Sequence, residues 1–353
     1  MMNTRCFVSY VMALFVSAMA LAQDESARVN LLAQQASKPD ARDLVNRFQT
    51  TLRSQQRFLF EFVDTGAVRH RASSSRTANP QLEGDRTYHM SGTLASDGHR
   101  VVFRSKTWGQ YNGLDRPAVE KSDAQYNRDV YDGKEMWFYF RPPRQGTKKK
   151  HQAGSVGIKR GRSPEWISKI VGHKSPTHWL QGYLSERGDR LDTLLRNARL
   201  LTVREDRETV GGYSCHVVDF SSTFGRGTLW FDPARGCLLA QAEVFLGAGH
   251  YLPNGESLAP GYASEYRLSD VTLENVDGVW FATGATVVSD ITFPGARERR
   301  TNRPRISSVR LNPNLDTLGL FTTEDIEDGA SVGYIGRRTE HVWQGGRAVR
   351  AVD

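Results

Sequence analysis

The chain has 353 residues, 39% of them hydrophobic and 24% charged, with a formal net charge of +8. That balance excludes a disordered or collagen-like chain and leaves ample apolar material for a core. Beyond the first residues, no stretch is apolar enough to cross a bilayer as a helix.

The chain opens MMNTRCFVSYVMALFVSAMALA, where Arg5 precedes an apolar run that ends in Ala20-Leu21-Ala22. This is the pattern of a secretory signal peptide cleaved after Ala22. Residues 1–22 are read as that signal and residues 23–39 as a polar, flexible leader. The product is then exported to the periplasm or cell envelope and is soluble after cleavage. Two cysteines remain, Cys215 and Cys237. Export favours a disulfide, which would close a loop of about 20 residues and contribute ~3 kcal/mol. The alternative is two separate buried thiols, because the pair flanks one expected strand. With no C-x-x-C and no adjacent His pair, neither a metal site nor any other cofactor is expected.

Asp40 begins a helix signal, with Leu44, Val45, Phe48 and Leu52 on one face. RFLFEFV follows, in which Phe58, Phe60 and Phe62 recur at strand period. Residues 71–85 are Ser-rich and predict a loop. Asp97-Gly98, Asp132-Gly133, Asp277-Gly278, Asp328-Gly329 and Asn254-Gly255 each suit the centre of a tight hairpin turn. Around the first pair, Met90, Gly92, Leu94, Val101 and Phe103 share one face, and Thr93, Ala95, Arg100, Val102 and Arg104 the other. Three short helices are expected in mid-chain, starting at Ser163-Pro164, Ser175-Pro176 and Asp189. Strands resume at residue 199. The total is a mainly β, α+β chain of roughly ten antiparallel strands with an N-terminal helix, and a sheet of that size tends to curl.

The stretch DGKEMWFYF at 132–140 carries bulk on both faces. Met136, Phe138 and Phe140 point one way, Trp137 and Tyr139 the other. Sequence alone leaves open which set faces inward, and a plain two-sided core strand is the competing reading. The residues Asp132, Gly133, Trp137, Phe138, Tyr139, Pro142 and Gln145 resemble the hairpin of the LolA-type lipoprotein-sorting carriers. GGYSCHVVDF, GTLWFDPARG and VDGVWFATGATVV resemble the wider LolA/LolB/RseB-like superfamily over about residues 40–310. The resemblance implies a curved half-barrel over 40–312, with a helical lid near 163–198 and a C-terminal extension at 313–353. It also implies a hydrophobic cavity for lipid or lipoprotein acyl chains. Its expected lining is Phe58, Phe60, Phe62, Leu94, Val101, Phe103, Met136, Phe138, Phe140, Trp166, Ile170 and Trp179. An early Arg-Pro of the carriers is absent, and the chain is longer than theirs.

From Met136 to Pro164 there is no acidic residue, while Arg141, Arg144, Lys148, Lys149, Lys150, Lys159, Arg160 and Arg162 are basic. Gly and Ser between them suggest a flexible loop, whose Lys148, Lys149, Lys150, Lys159, Arg160 and Arg162 would meet an anionic membrane surface. A solvated loop is the plainer alternative. A second basic run holds Arg297, Arg299, Arg300, Arg303 and Arg305. Nucleic acid is not an expected partner, because residues 144–162 hold no aromatic side chain for stacking. No catalytic motif stands out and no catalytic residue is assigned. The reading is a non-enzymatic envelope carrier whose partner is lipid or lipidated protein. The alternative is an RseB-like sensor that binds an envelope protein.

Overall fold

The structure, a computed structural model, describes residues 39–72, 84–110, 118–144, 153–161, 170, 175–183, 191–196, 198–251, 257–334 and 341–350. The signal peptide, nearly all of the leader, the Ser163 and Asp189 helix starts and Asn254-Gly255 lie outside the described residues.

Helix α1 spans Ala41–Ser54 and buries Leu44, Val45, Phe48 and Leu52 on one face, as its periodicity requires. Strands β1 (Arg57–Ala72), β2 (Gly84–Asp97), β3 (Val101–Gly109), β4 (Gln125–Tyr131), β5 (Glu135–Arg141) and β6 (Ser155–Arg160) form an antiparallel meander. A second meander starts with β7 (Leu200–Val203) and β8 (Glu208–Val210), both paired to β9 (Tyr213–Ser222). It continues through β10 (Gly225–Asp232), β11 (Leu238–Leu246), β12 (Ala263–Val276) and β13 (Val279–Phe293). Strands β14 (Ala296–Asn302) and β15 (Arg305–Leu311) run end to end along β1 and join the two meanders into one sheet.

The count of roughly ten strands is therefore too low, since the described residues contain eighteen. Two of the added strands come from stretches that looked like loop or charge run. GSVGIKR was expected to be flexible, but Val156 and Ile158 alternate inward and make β6. ARERRTN is β14, in which Arg297 and Arg299 share one face and Arg300 takes the other. The tail supplies three more. Strand β16 (Ser331–Tyr334) pairs in parallel with β6, and β17 (His341–Gln344) and β18 (Arg347–Arg350) form a hairpin.

The Asp-Gly pairs act in three ways. Asp277 and Gly278 are the central residues of the β12–β13 turn, both at positive φ (50° and 83°). Asp97 sits one place earlier than expected, its Oδ1 accepting from the backbone N–H of His99 at 3.0 Å and of Arg100 at 2.7 Å. Asp132 does the same for Lys134 and Glu135, both at 2.8 Å. These two aspartates fix their turns as side-chain acceptors. Gly329 closes no hairpin, and its N–H donates to the Trp343 carbonyl at 2.8 Å within the tail.

The sheet buries both faces. On the helix face, Phe58, Phe60, Phe62, Leu94, Val101, Phe103, Tyr131 and Met136 pack with α1, Trp179 and Leu191 in the main core. On the opposite face, which we call the tail face, Leu59, Ala95, Val102 and Val130 lie under Leu315 and Leu320. Beside them Tyr139, Val156 and Ile158 lie under Ile326, Val332 and Trp343. This settles the bulk of DGKEMWFYF. Met136 and Phe138 serve the main core, Trp137 and Tyr139 are roofed by the tail, and Phe140 is 39% exposed. Cys215 on β9 and Cys237, just before β11, are both free and buried in separate clusters, so the bridge that export would allow is not formed.

Candidate functional site

The helix face changes character along β1. From Phe58 to Phe62 every inward position is aromatic, and the next one is Asp64. The cross-strand register carries the change sideways. Asp64 lies opposite Met90, and Gly66 opposite Tyr88 and Asn302. Val287 also lies opposite Asn302, Ser289 opposite Arg300 and Tyr266 opposite Ser289. Directly opposite residues share a face. Past the aromatic core, then, the same face presents a mixed floor of Tyr88, Met90, Tyr266, Val287, Ser289, Arg300 and Asn302.

Over this floor passes the segment Ser175–Tyr183, and between them lies a cavity of about 270 Å³. Ser175, Pro176, His178 and Trp179 form its roof. Ser175 Oγ accepts from the Thr177 N–H at 3.2 Å, and a short 3-10 turn follows at His178–Gln181 where an α-helix was expected. A further short helix, α2, covers Leu191–Arg196. Trp179 stacks at a tilt on Tyr266, with ring centroids 5.4 Å apart.

Asp64 anchors the floor from below and is only 2% exposed. Asn302 Nδ2 donates to Asp64 Oδ2 at 2.8 Å and to the Tyr88 hydroxyl at 2.5 Å. Burial pushes the Asp64 carboxyl up to about 6, against the opposing pull of Asn302, two backbone N–H groups and His89. Tyr88 can lie this low because Gly66 faces it. A Cβ on Gly66 would sit 2.1 Å from the Tyr88 ring. Asp64 Oδ1 and Ser289 Oγ are buried with no protein hydrogen-bond partner. A volume of this size holds several waters or a small polar group beside a hydrocarbon stub.

Of the residues expected to line a hollow, Trp179 does so. Phe58, Phe60, Phe62, Leu94, Val101, Phe103, Met136 and Ile170 are buried beneath it as core, where Phe58 and Phe60 stack at 4.0 Å. Phe138 borders the core and also lines a separate crevice of about 30 Å³ under Phe321 and Ile326. Trp166, Lys148, Lys149, Lys150 and Arg162 lie outside the described residues. Arg160 is on β6, paired with Glu135 at 3.0 Å, and Lys159 is its neighbour on the same strand. Arg141 and Arg144, from the same acid-free stretch, both meet Glu327 of the tail at 2.6 and 3.0 Å. Sequence reading passed over Asp64, Tyr88, Tyr266 and Asn302. Asp64 carried a readable signal, a carboxylate at a core-facing position directly after three inward phenylalanines.

Among the described residues, no cluster of three His, Cys, Asp or Glu side chains could hold a metal ion, and no helix is long and apolar enough to cross a membrane. No protein-family model and no curated protein matches the chain. Among solved structures, it aligns with a DUF1329 family protein from Desulfovibrio piger ATCC 29098 at 13% identity, over 81% of this chain and 98% of that one, with a TM-score of 0.31. It also aligns with MucB in complex with MucA(peri) at 11% identity, over 78% of this chain and all of that one, with a TM-score of 0.21. Superpositions this loose carry no argument about function, and the chemistry of the cavity stands on its own residues.

Proposed function

We propose that the chain is an exported binding protein that holds the hydrocarbon of a lipid or a lipidated segment against the helix face of its sheet. The observation behind this reading is the cavity of about 270 Å³ between that face and Ser175–Trp179. It lies past the point where the aromatic core of β1 gives way to Asp64. Met90, Trp179, Tyr266 and Val287 offer it carbon surface on both sides. In this reading the sheet works as an open half-barrel, with Ser175–Tyr183 as part of a lid that moves outward to admit a chain. Each methylene that enters contributes ~0.8 kcal/mol, so a partly inserted chain binds without any reacting group. No catalytic role is assigned to the polar residues of the floor.

Native mass spectrometry of the protein purified from its own host tests this reading. Retained lipid, lost on Trp179→Ala, is the expected result. A protein that arrives empty and takes up no acyl probe in solution removes the carrier reading. A single membrane protein recovered in its place would favour the sensor alternative.

A further inference from the structure

The cavity's outer end carries an arrangement that the hydrocarbon reading does not use. Val68 on β1 has Arg300 directly opposite on one side and Arg86 directly opposite on the other. The two arginines therefore flank one residue, on the same face as the cavity. Arg300 lines the cavity itself, and Arg86 lies one step outward from Tyr88, which also lines it. His70 follows Val68 on this face, opposite Glu298.

The arginines of this end differ in their partners. On the opposite face, Arg69 is held by Asp85 at 2.9 Å and Arg297 by Asp290 at 2.6 Å. On the cavity face Arg300 contacts Glu298 at 2.5 Å. Arg86 has no ion pair or hydrogen bond among the described residues, and its Nε is shielded from solvent. His70 Nδ1 and Ser289 Oγ are shielded and unpartnered in the same way. Only the Nε of Arg86 is shielded, so its terminal nitrogens stay open to an acceptor that the described residues do not supply. Here three groups able to donate, Arg86, His70 and Ser289, share one shelf with a single carboxylate, Glu298.

We propose that this shelf binds the anionic, phosphate-like head of an amphiphile, with Arg86 and Arg300 gripping its oxygens from either side of Val68. The inference rests on the carrier reading for the tail, which enters the cavity past Met90 and Trp179. Guanidinium forks suit phosphate oxygens because two parallel N–H donors match two acceptors. Asn302 and the Tyr88 hydroxyl set the floor between head and tail.

Isothermal titration of the mature chain with three probes tests the proposal: dodecyl phosphate and dodecyl maltoside below their micelle concentrations, and inorganic phosphate. Dodecyl phosphate should bind tightest. Arg86→Gln should weaken it by ~10-fold or more, the loss of one charged hydrogen-bonded contact, and leave dodecyl maltoside unchanged. Arg86→Lys should restore part of the loss. Should Arg86→Gln fold poorly, the salt dependence of the unaltered protein serves instead. Added salt should weaken dodecyl phosphate and spare the maltoside. Equal affinity for phosphate and maltoside heads overturns the proposal while leaving the hydrocarbon reading intact. Inorganic phosphate binding as tightly as dodecyl phosphate, with the same loss in Arg86→Gln, keeps the anion site and removes the tail. Binding of none of the three removes both.

Discussion

The two faces of the sheet treat arginine differently. On the tail face, Arg100, Arg104, Arg128 and Arg141 project from β3, β4, β5 and the first turn, and the tail answers each of them. Arg100 reaches Asp316 at 2.6 Å, Arg104 the Leu320 carbonyl at 3.0 Å and Arg141 Glu327 at 2.6 Å. Arg128, only 3% exposed, donates to Asp325 and to the Leu320 and Thr322 carbonyls. At the outer end of the helix face, Arg86 has no such answer among the described residues. Where a cation fastens the fold, the chain brings its own acceptors from nearly 200 residues away. Where the described residues bring none, as at Arg86, the guanidinium stays open to an acceptor from elsewhere. The contrast separates arginines that hold structure from one available to a ligand.

The largest expected effect tests the fastening side. Trp343 is 2% exposed and packs edge-on against Trp137, centroids 6.0 Å apart, at the centre of the tail's contact with β5 and β6. Trp343→Ala should cost about 3–5 kcal/mol. Urea unfolding measures the loss, and limited proteolysis should show the segment after residue 313 cut first. Asp325→Ala comes next. It strips the carboxylate from a buried guanidinium and should cost about 3 kcal/mol. Because Arg128 keeps its two carbonyl acceptors, Arg128→Met in the same background should recover part of the loss. A double-mutant cycle in urea reads that recovery.

The cavity side gives a pH-dependent effect of opposite sign. The Asp64 carboxyl is raised from its ordinary 3.8 to about 6, chiefly by burial. The folded state then holds the proton more tightly than the unfolded state. The stability this group contributes is present in full below about pH 4 and is lost as pH rises through about 6. A shift of that size corresponds to about 3 kcal/mol. Asp64→Asn removes the charge and keeps an acceptor for Asn302. It should be more stable than the parent by about 1–3 kcal/mol at pH 8, and nearly equal to it at pH 4. Urea midpoints at the two values decide this, and an equal difference at both would show that Asp64 is not held as described.

Much of this fold was legible because it is local. The apolar stripe of α1, the alternation in β1 and the two faces of the β2–β3 hairpin all follow from residues within a turn or two of one another. The tail's place was not legible. Nothing near Trp137 or Tyr139 says that Ile326, Val332 and Trp343 will cover them, and the Arg128–Asp325 pair joins two charges that each look like surface. Most of the residues expected to line a hollow are packed in the core for a related reason. Big aromatic residues mark buried positions, and a buried position fills with carbon more readily than it lines a void. The cavity instead begins where the aromatic row of β1 gives way to Asp64, so polarity at a core-facing position was the better pointer.

The smallest effect sharpens the comparison from the surface. Arg160 was grouped with the basic residues expected to meet a membrane. The structure gives it a mostly exposed pair with Glu135 at 3.0 Å and a position over the Tyr334 ring, 5.5 Å from its centroid. Exposed pairs of this kind contribute little, so Arg160→Gln should change stability by less than ~0.5 kcal/mol in urea. Its effect on anionic vesicles carries the information. If Arg160 and Lys159 meet lipid headgroups, replacing both with Gln should weaken co-sedimentation by roughly 1 kcal/mol per residue, and added salt should mask the loss. Unchanged binding would place Arg160 with the paired arginines of the tail face, as a strand residue whose charge is answered within the protein. It would also leave the proposed Arg86–Arg300 shelf as the site at which anion binding remains to be measured.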